Sequence, residues 1–406
     1  MYEKLYNEDA YTREFESDVI SVKEKTYENE TVYDFVLEKT CFFPEQGGQT
    51  CDTGKLSDLN SSTTLEVVHV YIEDDTVHHL VKLGMGEGAV HPVGIQRVKG
   101  AINWEERFDK MQNHSGEHLV SGTVHRFFGL DNVGFSLSND NVTLDFNGTL
   151  TEENLEFIEK TVNRAVFENF EVQVTYPSEE ELKSIDYRSK KELSGEVRIV
   201  EFPGYDICAC CAPHVHRTGE IGLIKIISTE SFKGGIRMTI RCGYRALYDY
   251  ARKLNSCRKI SQMLSVPVDD VAAGVEKISS DNRSLKFEMN GMNKTVLDLK
   301  AENVRKDANP IIFDDKADMN SARKTINEML TGTSGFFGIF LGDEQNGYGF
   351  CIGSKKHDCR KLLYNLKTIL GAKGGGNETM IQGNIKASPK AIKKLLETFQ
   401  DENKNE

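Results

Sequence analysis

His114-Ser115-Gly116-Glu117-His118 sits in a run from Asp109 to Phe128 whose apolar residues, among them Met111, Leu119, Val120, Val124 and Phe127, recur at helical spacing and stop near Gly129. Two imidazoles four residues apart on a helix project from one face and can reach one ion. Alone, the pair is more often two unrelated surface histidines. Its counterpart comes about ninety residues later, in Cys208-Ala209-Cys210-Cys211-Ala212-Pro213-His214-Val215-His216. Pro213 keeps Ala212 out of the helical region, so this segment reads as a tight loop with converging side chains. Cys210 and His214 then complete a tetrahedral set with His114 and His118, and three nitrogens with one thiolate suit one Zn²⁺ per chain. Cys208, Cys211 and His216 are competing ligands. The bland alternative makes the cysteines small core residues.

Outward from the helix, the chain changes character three times. Between Asp18 and Gly94, short apolar runs such as Val32 to Leu37 and Leu65 to Val70 alternate with Gly, Asn and Asp, the pattern of a small all-β unit. After the helix, strand-like runs (Val142 to Phe146, Val172 to Thr175, Val197 to Phe202, Leu223 to Ser228, Ile236 to Ile240) surround a second helical stretch, Glu152 to Phe167. From Val271, positions Val275, Ile278, Asn282, Leu285, Met289, Met292, Val296 and Leu299 step by fours and threes, as in a coiled coil, and with the run before Pro267 they suggest an antiparallel hairpin; two ordinary core helices fit the same spacing. The last hundred or so residues read as a compact α/β module, with a hairpin (Gly335 to Leu341, Gly347 to Gly353), helices over Asp358 to Leu370 and Ala391 to Phe399, and a loop, Gly371 to Asn377, between them. The fold class is therefore α+β: a β-barrel-like domain over 1–94, a zinc-binding domain over 95–243, a helical hairpin over 244–305 and the α/β domain over 306–406.

Composition narrows the function. The chain has 406 residues and a net charge of −13, so nucleic acid must be met by local basic patches and not by the overall field. Nine cysteines, three of them crowded at Cys208, Cys210 and Cys211, point to metal or reactive chemistry before disulfides, since the acidic stretch Met1 to Ile20 is not expected to act as a signal peptide. No stretch approaches the ~18 to 20 apolar residues of a membrane span, and a cytoplasmic location with no membrane partner is expected.

Three segments resemble the free-standing alanyl-tRNA editing proteins, homologues of the editing domain of alanyl-tRNA synthetase. Thr40-Cys41-Phe42-Phe43-Pro44-Glu45-Gln46-Gly47-Gly48-Gln49, followed by Asp52-Thr53-Gly54, is similar to the family's glycine-rich motif; Met111 to Leu119 resembles its HxxxH helix; and Cys210 to Val215, with Thr218 to Gly222 and Gly235-Ile236-Arg237, resembles its CxxxH segment. The helical hairpin and Gly374-Gly375-Gly376 with Gln382-Gly383 are similar to the synthetase's C-terminal domain. Local departures are Ala212, Pro213 and Glu117.

The resemblance implies hydrolysis in trans of seryl- or glycyl-tRNA for alanine, without adenylate chemistry, since the synthetase's aminoacylation domain has no counterpart ahead of these modules. A noncatalytic zinc-stabilised tRNA-binding module is the alternative. Zinc can polarise the carbonyl, activate water, hold the amino group, or be structural if all four ligands stay bound. Thr40, Gln49 and Glu117 are candidates for recognising the serine hydroxyl, while Gly47 and Gly48 would let the backbone approach the substrate. Glu117 is also the candidate general base, although it precedes the second histidine where zinc proteases place glutamate after the first, and a solvated helix residue fits equally. Arg237 is placed against a phosphate of the terminal nucleotide or in a salt bridge. Lys373 with Gly374, Gly375 and Gly376 is expected to bind tRNA, and the C-terminal half offers a route to a homodimer.

Overall fold

A computed structural model describes residues 2–83, 91–139, 141–189, 197–304, 307 and 309–403. The chain divides into two compact units, Met1–Ser256 and Cys257–Glu406.

In the first unit, six strands, β1 (Glu14–Tyr27), β2 (Glu30–Leu37), β3 (Gly54–Asp58), β4 (Thr64–Glu73), β5 (Thr76–Leu83) and β6 (Arg97–Ile102), close into a barrel in the order β1-β2-β5-β4-β3-β6. Alternation puts Phe35, Leu56, Leu65, Val67, Val70, Val81 and Val98 inside it. Between β2 and β3 the glycine-rich segment turns back on itself, with Gly47 and Gly48 at φ +65 and +86, a region where side chains are strained. Leu137 donates its N–H to Gly48 O at 2.7 Å, which ties this turn to the rest of the unit.

The helix α1 (Trp104–Phe128) leaves the barrel after Asn103, whose side chain caps Glu106 N, and ends at Gly129 in the left-handed conformation. It packs on a four-stranded sheet of β7 (Asn132–Leu137), β8 (Val142–Phe146), β12 (Ile224–Phe232) and β13 (Gly235–Cys242), and on a three-stranded sheet of β9 (Gln173–Thr175), β10 (Ile199–Phe202) and β11 (Asp206–Ala209), with α2 (Glu152–Glu168) alongside. A helix buried on all sides is ordinarily apolar all round. This one buries Arg107, Lys110, Gln112, Asn113, His114, Ser115, Glu117, His118 and Ser121. Each such group must find a partner, because an unpaired buried polar group costs about 1–3 kcal/mol. Arg107 pairs with Asp52 and donates to the carbonyls of Ala10 and Cys41; Lys110 bonds Glu106 and Cys51 O. Two glycines admit the neighbouring strands: a Cβ on Gly116 would collide with Cys242, and one on Gly122 with Tyr205 and Asp206.

The expected loop from Cys208 to His216 needs correction. Strand β11 runs through Cys208 and Ala209, and the turn starts only at Cys210. Strand alternation therefore carries Asp206 and Cys208 to one buried face.

In the second unit, a five-stranded sheet has the order β14 (Ile311–Asp314), β15 (Phe337–Asp343), β16 (Gly347–Gly353), β18 (Met380–Ile385), β17 (Lys373–Gly376). Helix α5 (Met319–Met329) and the end of α4 (Val271–Val304) cover one face, through Ile326, Leu297 and Ala301; α6 (Cys359–Leu370) and α7 (Pro389–Asn403) cover the other, through Leu362, Leu366, Ile392 and Leu396. Two expectations are overturned here. Lys373–Gly376 is an edge strand and not a loop, and Gly374 is needed because a side chain there would strike Gln382 O. The heptad stripe of α4 is not buried: Val275, Ile278, Leu285, Met289, Met292, Val296 and Leu299 are all exposed. The preceding helix α3 (Gly243–Leu264) ends at Ser265, in the left-handed region, just before Pro267.

Candidate metal centre and cavity

The ligand atoms of His114, His118, Cys210 and His214 lie within 4.8 Å of one another. Cys210 Sγ is 3.3 Å from His214 Nε2 and 3.6 Å from His114 Nε2. Tetrahedral bonds of about 2.0 Å to nitrogen and 2.3 Å to sulfur separate such atoms by about 3.5 Å, so the donor set fits a zinc-sized ion. Burial opposes ionisation of Cys210, yet the neighbouring His114 and His214 imidazoles hold its thiol well below the ordinary range. A thiolate is the form that binds metal.

Each imidazole turns the same nitrogen inward because its other nitrogen is occupied. His114 Nδ1 bonds Gln49 Oε1 at 2.7 Å, His214 Nδ1 lies 3.0 Å from Ser115 Oγ, and His118 Nδ1 bonds Asp206 Oδ2 at 2.8 Å. Asp206 is gripped in turn by Arg188, whose Nε and Nη2 donate at 2.6 and 2.7 Å. Sequence reasoning missed Ser115, Asp206 and Arg188. Ser115 lay inside the quoted motif, and Asp206 stands two residues before Cys208, so a search for acceptors next to proposed ligands was the available signal.

The rival ligands stand outside the four-residue cluster. Cys208 is buried, and desolvation pushes its thiol up. His216 stacks on Tyr11 with ring centroids 4.0 Å apart, out in the solvent-facing layer. Cys211 is half-buried and lines a cavity of about 1240 Å³ together with Gln46, Gly47, Gly48, His114, Glu117, His118, Phe135, Arg198 and Cys210. Glu117 is not a solvated helix residue. It is 1% exposed; Oε1 accepts from Ser121 Oγ and Asn132 Nδ2, both at 2.7 Å, and Oε2 lies 3.8 Å from His118 Nε2.

Three candidates for the substrate pocket do not line it. Gln49, 0% exposed, stands behind His114 and reaches the cavity only through that ring. Thr40 is buried beside the barrel, its Oγ1 2.9 Å from His79 Nε2, and does not line the cavity. Arg237 forms a two-pronged ion pair with Asp145 at 2.6 and 2.8 Å and lies over the Phe232 ring, which makes it a salt-bridge partner. Lys373, Gly374, Gly375 and Gly376 are exposed in the second unit.

With this geometry in hand, the relatives are informative. The chain is 26% identical to the alanyl-tRNA editing protein AlaX-L of Pyrococcus horikoshii, covering 97% of this chain and 96% of that protein. The likeness to this alanyl-tRNA editing protein runs over nearly the whole of both chains. The chain is also 28% identical to the alanine–tRNA ligase of Pyrococcus abyssi over 97% of its own length, and 30% identical to that of Ignicoccus hospitalis over 70%. It spans less than half of those ligases, 43% and 30%. Residues 197–237 match the threonyl and alanyl tRNA synthetase second additional domain, and residues 3–106 match the class II (A) tRNA synthetases. The first of these matches contains Cys210 and His214. Among the described residues no helix is long and apolar enough to cross a membrane.

Proposed function

We propose that this chain is a trans-editing hydrolase that cleaves the ester joining serine or glycine to tRNA for alanine. The observation that carries the reading is a cavity of about 1240 Å³, large enough for an aminoacylated nucleotide, with the His114, His118 and Cys210 side chains and Glu117 in its wall. One Zn²⁺ on His114, His118, Cys210 and His214 would supply Lewis-acid polarisation or a substrate anchor only by taking a fifth ligand or releasing one of the four. With all four side chains bound, the coordination is that of a closed site, and proton transfer falls to the protein. In this reading Glu117, fixed through Oε1 by Ser121 and Asn132, uses Oε2 to take a proton from the attacking water. The carbonyl–oxygen ester bond breaks, and the ribose hydroxyl leaves with a proton.

Selection of serine over alanine requires a donor or acceptor that is unpaired without the hydroxyl. Gln49 stands just behind the cavity wall and is the candidate for this role: Oε1 is taken by His114, which lines the cavity, while Nε2 is buried without a hydrogen-bond partner. Gly47 and Gly48 line the same cavity and leave room for the substrate backbone. tRNA affinity is assigned to the second unit, where Lys373, Gly374, Gly375 and Gly376 form an exposed edge strand near the C-terminus of the lysine-bearing helix α6. The exposed stripe of α4 is assigned to a homodimer.

The closed four-ligand set also suits the alternative, a noncatalytic zinc-stabilised tRNA-binding module. Glu117→Gln separates the two readings. Editing requires Ser-tRNA ester loss to fall at least tenfold in this variant with zinc retained; a parent protein that binds charged tRNA and leaves the ester intact belongs to the alternative.

A further inference from the structure

His118 belongs to two buried clusters at once. Its Nε2 faces His114, Cys210 and His214, and its Nδ1 faces Asp206 and Cys208. The second cluster is itself composed of metal-binding side chains, but a guanidinium already fills it. Arg188 Nε donates to Asp206 Oδ1 and Nη2 to Oδ2, so Oδ2 accepts from Arg188 and His118 together. A cation placed there would meet the positive charge of Arg188 at hydrogen-bond distance from its only carboxylate. The Asp206 side chain is 1% exposed and that of Arg188 15%.

The three imidazoles also differ in what holds them. Gln49 and Ser115 present neutral oxygens to His114 and His214, whereas His118 alone has a carboxylate behind it. An anion accepting the Nδ1 proton makes the opposite nitrogen a stronger donor and fixes the ring tautomer. The backbone is built for this approach. Gly122 lies one helical turn beyond His118, and a Cβ there would collide with Asp206 and with the carbonyl of Tyr205, so only glycine lets β11 come close enough for Asp206 to reach the ring.

We infer that Asp206 and Arg188 are positioning residues, and that this ion pair, acting through His118, sets how tightly the four-residue cluster holds Zn²⁺. The inference rests on the metal reading of the cluster and goes beyond the ligands themselves. Arg188 enters only as the clamp that fixes Asp206 and closes the rival site.

The test is a zinc dissociation constant measured on the full chain by competition with a chromophoric chelator. Asp206→Asn should weaken Zn²⁺ binding about 10- to 100-fold. Because that variant strands Arg188, the neutral pair Asp206→Asn with Arg188→Gln is measured beside it and should show the same weakening with a native circular dichroism spectrum. Asp206→Glu should recover at least part of the loss, and Ser115→Ala, which removes a neutral partner, should weaken binding less. Folded variants that bind zinc within threefold of the parent would overturn the inference while leaving the metal reading intact. A parent that binds no zinc would overturn both.

Discussion

Asp52 and Arg107 form an ion pair with side chains 1% and 0% exposed, between the glycine-rich turn of the barrel unit and the first turns of α1. Removing one partner leaves a buried uncompensated charge, so Asp52→Ala should destabilise the first unit by about 3–5 kcal/mol in denaturant titration. His79 gives a second residue-scale expectation. Burial lowers its pKa from 6.5 to about 4, and the unfolded chain therefore binds a proton that the native state refuses. Its contribution is fully present above pH 6.5 and is lost as pH falls toward 4, a difference of about 3 kcal/mol at 1.36 kcal/mol per unit. His79→Gln should flatten the fall in stability across that window. At the metal cluster, Cys210→Ala should reduce zinc content and Cys208→Ala should not, measured by elemental analysis of purified protein; equal losses would put the thiolate at the wrong cysteine. The convergence of His114, His118, Cys210 and His214 was legible because their type and spacing carry metal-binding chemistry. Asp206 and Arg188 were not, since a carboxylate and a guanidinium are ordinary surface residues until the strand that bears one is brought against His118.

At the scale of elements, α1 was legible as a helix from its apolar spacing, but the continuous burial from Lys110 to Val124 was not. Glu117 fits a solvated helix residue by sequence, and the burial of Arg107, Lys110 and Glu117 rests on partners that include Asp52, Cys51 O and Asn132 on other segments. Strand β11 was missed because Cys208-Ala209 lies beside Pro213 and looked like the start of the loop. The glycines of Lys373–Gly376 were read as a loop signal, whereas Gly374 serves close packing against β18. Helix α4 was legible in both type and length, and its heptad pattern survives as an exposed stripe. Such a stripe buries itself when two copies meet, and Asn282 within it would set the register. Leu285→Glu combined with Met292→Glu should convert a dimer into a monomer in sedimentation velocity without loss of helicity; a parent that sediments as a monomer at the same concentration contradicts the dimer assignment.

Over the whole molecule, the proposed ligands, Glu117, Gln49 and the cavity all lie in the unit Met1–Ser256, while the edge strand and the exposed stripe lie in Cys257–Glu406. The motif order sets a boundary at 243/244, whereas the two units divide at Ser256/Cys257, within helix α3; closure of the six strands into a barrel includes the long-range pairing of β1 with β6. A chain ending at Ser256 should keep its zinc and deacylate at high tRNA concentration, with weaker apparent affinity and a shallower salt dependence in filter binding. The most direct test of the central claim is the initial rate of ester loss from seryl-tRNA for alanine with the zinc-loaded full chain, beside alanyl-tRNA and the Cys210→Ala variant. The account predicts rapid loss of the seryl ester, at least tenfold slower loss of the alanyl ester, and a rate for Cys210→Ala close to the spontaneous one. A seryl ester that decays at the spontaneous rate in the presence of folded, zinc-loaded protein would contradict it.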